Sequence, residues 1–173
     1  MPVTSMLKLA RTDLAATDPG QLRAAVKLPR TLKPQRMVLR IDVRLADGRE
    51  QGQDFRLREV SEPNDVLVLA TELGPDTHIY AYRIDPIDAD RLTAFREQLK
   101  QQQKATGRSG GALTISVRPE ACRTGELAKG SVYFTTYLRT QETDGYVPLM
   151  RDVDLRTLSP GRDLLADIPL CKS

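Results

Sequence analysis

The sequence predicts a mainly β fold, an antiparallel β-sandwich of immunoglobulin-like or related type carrying two helical insertions. Three observations lead there. Met37, Leu39, Ile41, Val43 and Leu45 alternate with Val38, Arg40, Asp42 and Arg44, the period of two that gives a strand one oily face and one mostly wet face. Similar short runs recur along the chain, separated by turn signals. The helical stretches do not alternate regularly with the strands, as they would in a parallel α/β fold.

In chain order, residues 1–20 read as an irregular N-terminal segment ending at Asp18-Pro19-Gly20, and residues 21–171 as a single β-rich domain. Gln21 to Leu28 reads as a first strand stopped by Pro29. Arg36 to Ala46 is the long second strand, and Asp47-Gly48 is a hairpin turn signal. The returning strand holds Phe55 and Leu57 inside, with Arg56 and Arg58 outside. Ser61-Glu62-Pro63-Asn64-Asp65 opens a short helix carrying Val66, Leu69, Ala70 and Leu73, stopped by Gly74-Pro75.

His78 to Ile84 is the next strand, and it runs into Asp85-Pro86-Ile87-Asp88. Asp88 is the expected helix N-cap, with Ile87 and Leu92 stapling across it and Leu92, Phe95 and Leu99 forming one apolar stripe. Gln101 to Gly111 reads as a flexible surface loop. Leu113, Ile115 and Val117 then alternate with polar residues. Ser131 to Arg139 is apolar or aromatic on both faces, as suits a central strand covered on both sides. After a polar turn at Gln141 to Gly145, Tyr146 to Leu155 returns with Val147, Leu149, Val153 and Leu155 on one parity.

A chain of 173 residues can bury roughly two-thirds of its unfolded surface, so a core needs no metal. The net charge is +3, but its 19 Arg and 7 Lys are interleaved with acids and form no block like a nucleic-acid arm or polybasic membrane patch. The densest cluster is Arg56 and Arg58 beside Arg36, Arg40 and Arg44, the residues a nucleic-acid backbone would meet. No run approaches the twenty apolar residues of a membrane span, and Met1 to Ala10 lacks the apolar stretch of a signal peptide.

Cys122 follows a strand and Cys171 lies near the end of the chain. Bonded, they would tie the tail to the body and imply an oxidising compartment; unbonded, they are two cytosolic thiols. A catalytic thiol would want a histidine nearby, and zinc would need more ligands than His78 supplies. Asp85, Asp88 and Asp90 are the one close acid cluster, without the glycine pivot or closing glutamate of a calcium loop. No catalytic residues, cofactor or metal are assigned. A hydrolase-type enzyme would have to use His78 with Asp85 or Asp88. All five tyrosines fall on expected strands; Tyr80, Tyr82, Tyr133 and Tyr137 could form a patch for protein or glycan, though the absence of Trp speaks against a carbohydrate-stacking surface, or could pack across strands beneath the Leu92/Phe95/Leu99 helix.

Three blocks resemble a family of uncharacterised bacterial exported, lipoprotein-like proteins. They are Gly20-Gln21-Leu22-Arg23-Ala24-Ala25-Val26-Lys27-Leu28-Pro29, Thr77-His78-Ile79-Tyr80-Ala81-Tyr82-Arg83 and Phe134-Thr135-Thr136-Tyr137-Leu138, and the resemblance covers most of residues 20 to 171. It implies an upstream signal and acylated cysteine, placement in the periplasm or cell envelope, and a Cys122–Cys171 disulfide. The sequence departs from it by starting at Met1 without a lipobox, so a lipid anchor requires a different N-terminus. The family has no known activity to transfer. The resulting expectation is a non-enzymatic envelope module working through protein–protein contacts or as a structural accessory. The alternatives are the His78 hydrolase and an intracellular nucleic-acid binder.

Overall fold

The computed structural model describes residues 18–44, 48–60, 67–106, 112–127, 129–141, 143, 145–157 and 164–172. Most of the expected irregular segment 1–20 lies outside them, as do the first half of the Ser61 to Leu73 helix and positions 107–111. The strands are β1 (Arg23–Pro29), β2 (Leu32–Arg44), β3 (Glu50–Val60), β4 (Thr77–Ile84), β5 (Ala112–Arg123), β6 (Tyr133–Arg139) and β7 (Val147–Asp154), with one long helix, α1 (Pro86–Thr106), between β4 and β5. Residues 67–69 are helical and continue into a 3-10 turn, Ala70–Glu72.

The fold is mainly β, and the seven strands form one antiparallel sheet in the order β5-β2-β3-β4-β1-β6-β7, curled into a half-barrel. Among the described residues a second packed sheet, as in the expected sandwich, is not observed. The reason is visible in the core. Alternate residues of all seven strands, among them Val26, Leu39, Phe55, Tyr82, Val117, Phe134 and Leu149, converge on the inner face. There they meet Leu92, Phe95 and Leu99 of α1, so the helix fills the concavity that a second sheet would occupy. Each of these three side chains removes apolar surface worth about 2 kcal/mol from water. Register shifts at Pro34/Arg36 in β2 and on either side of Thr136 in β6 add local bend to the twist every sheet carries.

Helix α1 starts earlier than expected. Asp85, not Asp88, caps it: the Asp85 carboxylate accepts from the Ile87 N–H at 3.1 Å, and Pro86 takes the first turn, where a missing N–H costs nothing. Ile87 is exposed, so the expected staple with Leu92 does not form. Asp88 is instead buried at the sheet, accepting from the Arg56 backbone N–H and from Arg91 Nη1 at 3.1 Å. Burial alone would raise its carboxyl, but the Arg56 N–H and the Arg91 guanidinium outweigh that and hold it below the ordinary range. The helix also runs on through Thr106, across much of the segment expected to be a loop. Its glutamines and lysines are good helix formers, and their polarity describes a solvated face rather than a break.

The C-terminal tail pairs with the last residue of β5. Arg123 N–H donates to the Pro169 carbonyl and Cys171 N–H to the Arg123 carbonyl, both at 2.8 Å, and Cys122 and Cys171 form a disulfide. Leu165 is buried in the main core, with Ile168 packed against it. The tail thus satisfies the backbone groups of Arg123, at the end of this edge strand, that would otherwise be open to another chain. Such a bond fits an oxidising environment. No helix among the described residues is long and apolar enough to cross a membrane.

Candidate interaction site

The four tyrosines do not share a surface. Across β4-β1-β6 the register pairs Tyr82 with Ala24, and Ala25 with Tyr137; neighbours along β1 point to opposite faces. Tyr80 and Tyr82 therefore lie on the inner face, where Tyr82 is buried in the main core and Tyr80 packs against it. Burial pushes both phenols up, with the Glu59 carboxylate adding to it. Tyr137 is 1% exposed on the outer face, and only Tyr133 stands out in solvent, at 53%.

His78 and the aspartates are also kept apart. His78 is exposed near the start of β4, its ring 4.4 Å from that of Tyr80, whereas Asp85 follows the far end of the same strand. Seven residues of extended chain separate them by about 23 Å. Asp85 caps α1, Asp88 is committed to Arg56 and Arg91, and Asp90 is exposed. Among the described residues no three metal-ligating side chains converge. A cavity of about 190 Å³ lies between the β1–β2 turn and the C-terminal tail, lined by Leu28, Leu32, Phe134, Leu155 and Ile168 with Glu120 at its side. It is smaller than the roughly 300–1,000 Å³ of ordinary small-molecule sites.

The outer face carries the most distinctive arrangement. The strand register places Arg58 opposite Arg83, Arg83 opposite Arg23, and Arg23 opposite Arg139, an arginine on each of four adjacent strands in one rung. Adjacent strands are about 4.8 Å apart, so the rung spans roughly 14 Å. Arg36 precedes the Met37/Leu57 pair and so extends the rung onto β2, with Glu120 of β5 across from it. Beside this rung, Val38 lies between Arg56 of β3 and Arg118 of β5.

Like charges directly opposite one another across strands destabilise a sheet, so the fold does not account for this row. Two members are held locally. Arg23 Nη1 donates to the Gly20 and Leu22 carbonyls at 2.9 and 3.0 Å, and the Arg139 guanidinium lies 5.2 Å from the Tyr146 ring centre. Among the described residues, Arg36, Arg58, Arg83 and Arg118 form no ion pair, and the buried Nε of Arg83 and of Arg118 has no hydrogen-bond partner. By contrast Arg40 pairs with Asp42 and Asp54, and Arg44 with Glu50, at 2.9–3.0 Å. Gly52 leaves room for the Arg40 guanidinium, which a side chain there would displace. The arginine cluster read from the sequence therefore divides: Arg40 and Arg44 are neutralised, while Arg36, Arg56 and Arg58 join Arg83, Arg118, Arg23 and Arg139.

One step along the same face, Val60, Ala81, Ala25 and Tyr137 form a parallel apolar rung, and the segment 67–72 straps across it with Leu69 buried. Glu72 fastens the strap, accepting from Tyr137 Oη at 3.0 Å and Arg151 Nη1 at 3.1 Å, while its carbonyl accepts from Lys27 Nζ at 3.3 Å. The Arg151 hydrogen bond, opposed by burial and helped by the Tyr137 hydroxyl, holds the Glu72 carboxyl below its ordinary value. Lys27 also lies 3.9 Å from Asp152, whose φ of +50° marks a strained turn of β7 held by Thr135. Leu67, Val68 and Leu73 project from the strap into solvent, at 69%, 52% and 48% exposure.

The strap has a pH signature. A carboxyl whose folded pKa is depressed stabilises the fold above its unfolded value of about 4.3 and loses that contribution as pH falls through the folded value. Glu72→Gln is therefore less stable than the native chain at neutral pH, and the two converge as the pH falls through and below the depressed folded value of Glu72. Tyr137→Phe costs about 1.5 kcal/mol at neutral pH, the worth of a hydrogen bond to a charged acceptor. Urea unfolding at neutral and acid pH checks both; a Glu72→Gln deficit that persists in acid would show the carboxylate charge to be irrelevant.

No family model, no curated protein and no solved structure matches this chain. Its fold and this face define a mainly β protein with a disulfide-fastened tail and an arginine-rich outer surface.

Proposed function

We propose that the protein is a non-enzymatic module of the bacterial cell envelope, in the periplasm or at a membrane facing it. It works by surface contact, as a protein-binding or structural accessory, and the outer face of the sheet is its working surface. The observation that carries this reading is the arginine rung Arg58–Arg83–Arg23–Arg139, a row of like charges on adjacent strands in which Arg58 and Arg83 have no ion-pair partner among the described residues, and which fits an anionic partner.

A nucleic-acid backbone would also suit such a row. The Cys122–Cys171 bond favours the envelope, because a reducing cytosol does not maintain structural disulfides. The lipoprotein-like resemblance points the same way.

A photocrosslinking residue placed at Arg58 or Arg118 in cells tests the reading. Both positions capture a defined neighbour, and the exposed helix position Gln98 does not. Equal yields at the three positions would remove the outer face as the contact surface.

A further inference from the structure

We propose that the partner of the outer face is an anionic phospholipid surface. The inference rests on the reading of that face as the working surface, and it names what the face works on.

Three features select a bilayer. The charge is spread rather than gathered: arginines occur on β5, β2, β3, β4, β1 and β6, in two neighbouring rungs. An extended array of anions matches that layout better than one small anion does. Guanidinium groups suit phosphate headgroups, since their planar fork can donate two parallel hydrogen bonds to one phosphate. Arg36, Arg56 and Arg58 are exposed, and Arg83 and Arg118, half-buried between them, form no ion pair among the described residues.

The second feature is the neighbouring strap. Leu67, Val68 and Leu73 protrude from it, while Leu69 of the same segment anchors it over the apolar rung beside the arginines. Large apolar side chains raised beside a basic field are what an interfacial protein inserts at the headgroup–acyl boundary. The third feature is shape. The outer face of a curled sheet is convex, so it offers a crest of arginines to a broad surface rather than a pocket to a small anion. Of the acids nearest this face, Asp42 and Asp54 are taken by Arg40 and Glu72 by Arg151, which leaves Glu120, across from Arg36, as the one that offsets the row at its β5 end.

The test is co-sedimentation of the oxidised protein with vesicles of phosphatidylglycerol mixed with phosphatidylcholine, against phosphatidylcholine alone, at low and high salt. The protein sediments with the anionic vesicles, stays soluble with the neutral ones, and is released as salt rises. Each arginine near an anionic surface contributes about fivefold in affinity, so Arg58→Ser with Arg83→Ser weakens binding by about 25-fold. Arg58→Lys with Arg83→Lys keeps most of it. Leu67→Ser with Val68→Ser weakens vesicle binding by about tenfold or more. The latter pair leaves retention on soluble poly-glutamate unchanged. Near-native thermal melting of the variants shows that they fold.

Vesicle binding that ignores both pairs of substitutions overturns the proposal. Arginine-dependent retention on poly-glutamate without vesicle binding also overturns it, but leaves the contact-surface reading standing with an acidic macromolecule as partner. Binding to neither probe removes both.

Discussion

Replacing Cys122 and Cys171 together by serine lowers the stability of the fold by about 4 kcal/mol, the chain-entropy value for opening a loop of about fifty residues. For a chain of this size that is a fall of roughly 8–16 °C in Tm. The loss does not stop at entropy. The tail pairs with β5 through Arg123 and carries Leu165 into the main core, so a released tail exposes one end of that core and frees the end of β5. Thermal melting of the oxidised, reduced and doubly substituted protein checks the first part. Hydrogen exchange at Arg123 and Cys171 checks the second: both amides exchange early once the bond is gone, unless the tail holds its place without it. An unchanged melting temperature would mean that the disulfide records only the compartment.

Phe55→Ala removes about 4 kcal/mol, within the usual range for a large aromatic cut to alanine in a core. Phe55 is fully buried where β3 meets α1, its ring centre 6.2 Å from that of Phe95, with the Arg91 guanidinium 5.3 Å from it on the other contact. Nearby, Arg91 also donates to the Asp54 carbonyl and to Asp88, which accepts from Arg56 N–H. The same few residues therefore hold the helix in the concavity of the sheet. Chemical denaturation gives the global loss, and hydrogen exchange locates it: amides of α1 lose more protection than those of β1 and β6. Equal loss everywhere would mean that the helix is not a separable unit on the sheet.

Much of the strand content was legible because a buried face imposes its period on the chain. Phe55 in and Arg56 out, or Leu39 in and Arg40 out, follow from alternation alone, and both are observed. So is the central placement of β6, whose residues from Phe134 to Leu138 are buried on both faces between β1 and β7. Helix ends were less legible. Asp85 and Asp88 are both sound caps by local chemistry, and the choice fell to Asp85 because Asp88 could reach the backbone of Arg56 on another strand.

The interaction face was the part least visible in the chain. Arg23, Arg58, Arg83 and Arg139 are each an ordinary solvated charge in their own strand, separated by tens of residues. They become a row only because β4 pairs with β3 and β1, β1 with β6, and each in one register. The tyrosines reversed that outcome: two pairs, each on one parity of its own strand, were sent to opposite faces by the offset of Ala24 from Ala25.

By itself, then, the amino-acid sequence determined that this is a β-rich chain with an amphipathic helix, and which residues of each strand seek the interior, since alternation is a local property of the backbone. The tertiary structure alone decided that the strands form one curled sheet around that helix, and that four distant arginines share a rung. Strand order and register depend on pairings between segments far apart in the chain, and a period of two is the same whichever neighbour a strand takes.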